Sequence, residues 1–201
     1  MGLAFLAGQV DATGFIVAGG YFTSFMSGNT TRLGVDLLEN PAVAWFPVAL
    51  IASFVGGVVL GAMLVPRSQD RPKSVLLTVV TCVLGLAVLA LAKHYEVLFL
   101  ALAAAAMGVS NNVFSRDGEV TVGVTYMTGA LVRSGQGLAA RLQGKPDTAM
   151  RGYPALWLAL ACGAASGALL SASSSPVAIA TAFGFSIVLS LYARRIETRS
   201  T

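Results

Sequence analysis

The chain has 201 residues, of which 56% are hydrophobic and 11% charged, with a formal net charge of +4 and a mean hydropathy of +0.77. Soluble domains carry about 25% charged residues, and the basic residues here form no patch interleaved with aromatics, so composition excludes an ordinary soluble fold and a nucleic-acid partner. The medium that suits this chain is a lipid bilayer.

Apolar runs approaching the roughly 17 to 25 residues that a spanning helix needs fall near 2–20, 42–65, 74–92, 96–113, 154–172 and 176–193. The first is interrupted by polar residues and holds Asp11 in its middle. It has neither the basic start nor the cleavage motif of a signal peptide, and it reads as a mature helix. Basic residues mark alternate connections: Arg67, Arg71 and Lys73; then Arg141, Lys145 and Arg151; then Arg194, Arg195 and Arg199 in the tail. The connections between them hold Asp36 and Glu39, then Lys93, His94 and Glu96, then the uncharged run SASSSP. By the positive-inside rule both termini lie in the cytoplasm, which makes the chain a multi-pass membrane protein with an even number of crossings.

Cys82 and Cys162 lie inside apolar spans and read as small buried hydrophobes rather than disulfide partners. His94 is the sole histidine and, with no second one to share an ion, reads as an interfacial residue and not a metal ligand. No G-x-S-x-G, H-E-x-x-H or phosphate-binding loop occurs, so neither an enzyme nor a cofactor is expected.

Two decapeptides repeat. FMSGNTTRLG (25–34) and YMTGALVRSG (126–135) match at Met26/Met127, Gly28/Gly129, Arg32/Arg133 and Gly34/Gly135. AGQVDATGF (7–15) has a weaker echo in MGVSNNVFS (107–115), with Gly8 on Gly108 and Asp11 on Asn111, and the G-xxx-G pair Gly57/Gly61 recurs as Gly163/Gly167. Three landmarks in one order indicate a duplication. Each copy contains three spans, and an odd unit enters the membrane from the opposite face when repeated. The expected fold is therefore an all-α membrane protein: one transmembrane domain over 1–201 with six helices, built as two inverted three-helix repeats, 1–93 and 94–201, with the site at their interface. The G-xxx-G pairs read as close packing within each half, the alternative being a homodimer face.

Before each decapeptide the chain resists helix: GFIVAGGYFTS is glycine-rich, and DGEVTVGVTY (117–126) alternates like a strand. After it, helices can run from near 27 and near 128, with Ser27 and Thr128 as N-caps and Gly28 and Gly129 admitting a ligand close to the backbone. Broken backbone at membrane depth survives only inside protein or along a cavity. Each helix N-terminus offers about half a positive charge, and Arg32 and Arg133 lie a turn or so inside. Alternatively Arg32 pairs with Asp36 at i+4, and Arg133 is an interfacial basic residue. Asp11, costing about 2.5 to 3.5 kcal/mol at the centre of a spanning helix, takes a proton, binds a cation or pairs with Arg32.

The patches AGQVDATGF, FTSFMSGNTTRLG, MGVSNNVF and VTYMTGALVRSGQGLA resemble those of the YoaK family, bacterial membrane proteins classed under a domain of unknown function. The resemblance covers nearly the whole chain and implies a membrane protein in which these patches matter; it implies no substrate. It also implies residues ahead of the first patch in family members, and Asn111-Asn112 stands where the family tends to show Gln-Asn.

These readings combine into an expected secondary transporter for a small, anionic solute, coupled to protons through Asp11. Ser27, Gly28, Asn29, Thr30 and Arg32 from one half, with Asn111, Tyr126, Thr128, Gly129, Ala130 and Arg133 from the other, would contact the solute. A passive anion channel and a non-transporting scaffold or sensor are the competing expectations.

Overall fold

A computed structural model describes residues 1–64, 73–116, 119–120, 127–145 and 152–200. Tyr126, the basic residues Arg67, Arg71 and Arg151, and most of the alternating run 117–126 lie outside the described residues.

Among the described residues eight α-helices follow in order: α1 (Gly2–Val17), α2 (Met26–Glu39), α3 (Trp45–Leu64), α4 (Lys73–Ala92), α5 (Glu96–Ser110), α6 (Met127–Leu142), α7 (Tyr153–Ser173) and α8 (Ser175–Ser200). A 3-10 turn, Pro41–Val43, precedes α3, and another, Asn111–Phe114, extends α5. Five segments have the length and apolarity to cross a bilayer: Pro41–Leu64, Lys73–Ala92, Glu96–Phe114, Tyr153–Ser173 and Ser175–Arg199. They coincide with five of the six apolar runs expected from sequence; the remaining one, α1, is an apolar helix of 16 residues. The alternation ahead of α6 appears in the described residues as a short antiparallel pairing of Ser115–Arg116 with Glu119–Val120.

Helix ends follow local chemistry. α1 stops where Gly19 and Gly20 take φ of +62° and +112°, values that side chains resist, and the Gly20 N–H closes the last turn on the Phe15 carbonyl at 3.0 Å. α4 turns into α5 through His94, whose φ is +63°, with the Tyr95 N–H on the Ala90 carbonyl at 2.9 Å. His94 is thus a left-handed turn residue between two spans.

The spans pack with glycines at their closest approaches. A Cβ on Gly8 of α1 would strike the Leu160 carbonyl and Ala164 N of α7; one on Gly108 of α5 would strike the Phe54 carbonyl and Val58 N of α3. Reciprocally, Gly163 of α7 abuts the Phe5 backbone and Gly57 of α3 the Ala105 backbone. Each contact on one side has its counterpart on the other: Phe5 and Gly8 shift by 100 positions to Ala105 and Gly108, and Phe54, Gly57 and Val58 by 106 to Leu160, Gly163 and Ala164. The G-xxx-G glycines therefore pack between the halves 1–93 and 94–201. This corrects the expectation of packing within each half, and it occupies the surface that a homodimer through these pairs would use. Lipid offers little hydrophobic drive for helix association, so such small-residue contacts let backbones meet closely enough for dispersion to hold them.

The contacts also fix direction. Phe5, Gln9 and Thr13 of α1 meet Gly163, Gly167 and Ser171 of α7 in rising order, so these helices run parallel. Gly2 faces Leu189, and the Gln9 amide donates to Thr181 Oγ1 at 2.7 Å, so α1 is antiparallel to α8. The Glu197 carboxylate accepts from Ser74 N at 3.1 Å, and Thr78 bonds Ser190 at 3.1 Å, making α4 antiparallel to α8 as well. A core containing Leu6, Val10, Leu84, Phe99, Leu100 and Ile179 fills the centre between α1, α4, α5 and α8. Outside it, Val55, Val59, Met63, Leu158 and Leu169 are exposed on α3 and α7, as suits helices whose outer surface meets lipid tails.

Candidate functional site

The chain leaves α1, doubles back through residues 18–25 and starts α2 beside the middle of α1. A single carboxylate oxygen holds that return. Asp11 Oδ1 accepts the Thr23 N–H at 2.7 Å, the Ser24 N–H at 2.8 Å and the Thr23 hydroxyl at 3.2 Å. These donors have no helical or sheet partner, and a carboxylate is among the strongest acceptors available to them. Asn29, fully buried, holds the same segment from the other side: its Oδ1 accepts the Phe22 N–H at 2.9 Å and its amide donates to the Phe22 carbonyl at 2.7 Å. Irregular backbone at this depth is satisfied by side chains in place of water.

α2 begins at Met26, one residue earlier than expected, with Phe25 as its N-cap residue and no side chain capping the first turn. α6 begins at Met127. Ser27 and Thr128 are therefore inside the first turns, which corrects their expected place as N-caps. The first turns of α2 and α6 converge on one cavity of about 300 Å³, lined by Ser24, Phe25, Met26, Ser27 and Phe54 on one side and Met127, Thr128 and Gly129 on the other. Phe54 sits near the middle of α3, so the cavity lies near mid-span. The two matched decapeptides thus meet head to head.

Only part of the expected contact set faces this space. Ser27, Thr128 and Gly129 line it. Asn29 is committed to Phe22, and the Thr30 hydroxyl bonds back to the Met26 carbonyl at 3.0 Å. A Cβ on Gly28 would meet the rings of Phe22 and Phe25. Ala130 is buried beside Ala4 and Met127. The Asn111 amide donates to the Met107 carbonyl of its own helix at 2.9 Å. Sequence reasoning missed Ser24, Phe25 and Phe54. Met26 and Met127 were legible as members of the repeat, whereas Phe54 lies in an apolar run with nothing to distinguish it.

The arginines are absent from the cavity lining. Arg32 stacks over the Tyr21 ring at 4.8 Å and reaches Asp36 at 3.8 Å, the i+4 alternative recognised in the sequence. Asp36 in turn accepts the Tyr21 hydroxyl at 2.7 Å, and Tyr21 packs edge-on against Phe46 of α3. Arg133 lies over the Tyr153 ring at 5.1 Å, at the start of α7. Each arginine is six residues beyond the first residue of its helix, about 9 Å along the axis at 1.5 Å per residue. Among the described residues, no three His, Cys, Asp or Glu side chains gather as a metal-binding group.

Apolar spans, a largely apolar cavity carrying the Ser24, Ser27 and Thr128 hydroxyls between two helix starts, and an exposed aliphatic periphery define a multi-pass membrane protein. The family described as "Protein of unknown function (DUF1275)" matches residues 1–192, and the chain belongs to that family. It is also similar to the UPF0700 transmembrane protein RA0705 of Rhizobium meliloti (strain 1021), with 35% identity over 177 residues, which cover 88% of this chain and 76% of the relative. No solved structure matches the chain.

Proposed function

We propose that the protein is a transporter for a small anion carrying a single charge, with its binding site in the cavity between the first turns of α2 and α6. The convergence of two helix starts on one cavity, that of α2 without a side-chain cap, supports this reading above any other observation. Each N-terminus supplies about half a positive charge. Two of them sum to about one unit, with hydroxyls from Ser27 and Thr128 added and, among the described residues, no charged side chain in the lining. One negative charge is balanced by that field; a dianion is left half compensated.

The offsets shared by the glycine contacts, together with the helix directions, favour two inverted copies of one unit, each comprising a span, a half-length helix and two further spans. α1, α2, α3 and α4 correspond to α5, α6, α7 and α8. With the basic connections on one side, both termini then face the cytoplasm across the inner membrane. In this reading Asp11 positions the returning segment through Oδ1, which accepts from Thr23 and Ser24, and its Oδ2, outside those bonds, is where a coupled proton would be carried.

Purified protein in liposomes given external nitrate or iodide tests the proposal. Uptake that saturates, and that sulfate fails to inhibit, is the expected result; the absence of any anion flux above empty liposomes would reject it. A passive anion-selective channel is the second reading, favoured by the exposure of Phe25, Ser27, Thr128 and Gly129 around the cavity. Flux indifferent to an imposed proton gradient and without saturation would select it.

A further inference from the structure

The helices do not group by sequence half. α1 is bound to α7 through Gly8, Gly163 and Gly167; α6 packs on α7, and α8 packs on α1 and α7 while also lying along α4. α3 is bound to α5 through Gly57 and Gly108, and α2 and α4 pack on those. Two bundles result, α1 with α6–α8 and α2–α5, and each has taken the first helix of the other half. The central seam of each bundle, α1 on α7 and α3 on α5, is backbone on backbone, where a shift of a fraction of an ångström produces overlap, while α8 is held to α1 by side chains. Between bundles the contact is made by side chains: Phe183 of α8 over Gly85 of α4, Ser190 and Arg194 against Thr78, and apolar groups of α1 and α5. Interdigitated side chains allow small sliding movements that locked backbones do not.

The cavity falls on the boundary between these bundles, since Ser24 to Ser27 and Phe54 come with one and Met127 to Gly129 with the other. One of the two chain crossings of that boundary is the segment 18–25, which holds Gly19 and Gly20 at positive φ and is fastened to α1 at Asp11, Gly14 and Phe15 and to α2 at Asn29.

We propose that the moving bodies of this protein are the two swapped bundles, α1 with α6–α8 against α2–α5, turning about residues 18–25 so that the cavity opens to one face or the other. The proposal rests on the transport reading for its purpose but is tested separately from it. In a Cys82→Ala, Cys162→Ala background, two cysteine pairs replace neighbouring hydroxyls. Thr13→Cys with Ser171→Cys joins opposite halves inside one bundle, and Thr78→Cys with Ser190→Cys joins the two bundles. Oxidation of the first should leave nitrate flux within about twofold, and oxidation of the second should cut it about tenfold or more, reversibly with reductant. Inhibition by the first pair, or indifference to the second, overturns the proposal.

A measurement independent of flux uses spin labels at exposed positions. Phe15 and Leu169 lie in different halves but one bundle; Phe15 and Leu89 lie in one half but different bundles. Pulsed-resonance distances in liposomes should be narrow for the first pair and broad or two-peaked for the second. The reverse pattern, or the same width for both, overturns it. Should the cysteine-free protein carry no anion at all, the transport reading falls while these distances still decide which bodies move.

Discussion

The carboxylate of Asp11 accepts the backbone N–H of Thr23 at 2.7 Å, tying the middle of α1 to the segment that leads into α2. Replacing Asp11 with Ala leaves the Thr23 and Ser24 N–H groups without this acceptor, and each unsatisfied buried donor costs about 1–3 kcal/mol. Asp11→Ala should therefore lower the apparent melting temperature in detergent and reduce flux. Asp11→Asn, which keeps an oxygen at the same place, should retain most of the stability. If the Asn variant instead melts like the Ala variant, the negative charge and not the acceptor geometry holds the segment.

Asn29→Leu removes both partners of the Phe22 backbone in one step. A loss of about 2–5 kcal/mol is expected from two stranded polar groups at a buried position. Hydrogen exchange should show it as faster exchange confined at first to residues 20–25. Asn29→Asp retains the acceptor for Phe22 N–H but loses the donor, and its cost should be intermediate.

Gly8→Val and Gly108→Val meet the same obstacle, a carbonyl of the neighbouring helix, and should destabilise by similar amounts, on the order of 3 kcal/mol or more given the backbone on the other side. Gly34→Ala and Gly135→Ala serve as controls: a Cβ at either position meets nothing within 4 Å, and alanine is the better helix former by about 0.5–1 kcal/mol. Thermal melts of the four variants separate seam glycines from incidental ones. Equal melting of seam and control variants would remove the seam from the account of stability.

Ser27→Asp should separate stability from transport. A carboxylate in the first turn of α2 suits the helix dipole and adds about 0.3–1 kcal/mol, yet it sets a negative charge on the lining of the cavity. The melting temperature should hold or rise while nitrate flux falls about tenfold or more, a barrier of about 1.4 kcal/mol or above. Arg32→Gln and Arg133→Gln, whose side chains lie outside the lining, should reduce flux less than Ser27→Asp does.

The spans were legible because lipid demands long apolar runs, and five of them fall within a few residues of their sequence-based bounds. The two short helices were legible through the repeat, since Met26/Met127 and Gly28/Gly129 match whatever the fold. The hydrogen-bond roles of Asp11 and Asn29 were not. Sequence marks Asp11 as expensive, but nothing in it says that the carboxylate faces N–H groups twelve and thirteen residues on and not an arginine. Arg32 shows the opposite case: spacing alone offered Asp36, and the pairing is there at 3.8 Å. The glycine seams were half legible. The motif announces a close neighbour without naming it, and the neighbour lies in the other half of the chain.

That exchange of first helices bears on biosynthesis. α1 is made first, yet the surface against which it packs most closely belongs to α7, which begins at Tyr153. Until the ribosome has passed that point, a short helix carrying Gln9, Asp11 and Thr13 has no permanent neighbour on that side. All of α2 to α6 must be made before α1 can settle against α7. A fragment ending after α4 would leave α1 stranded without α7 and α3 without α5, so neither half is an independent folding unit, however alike the two are in sequence.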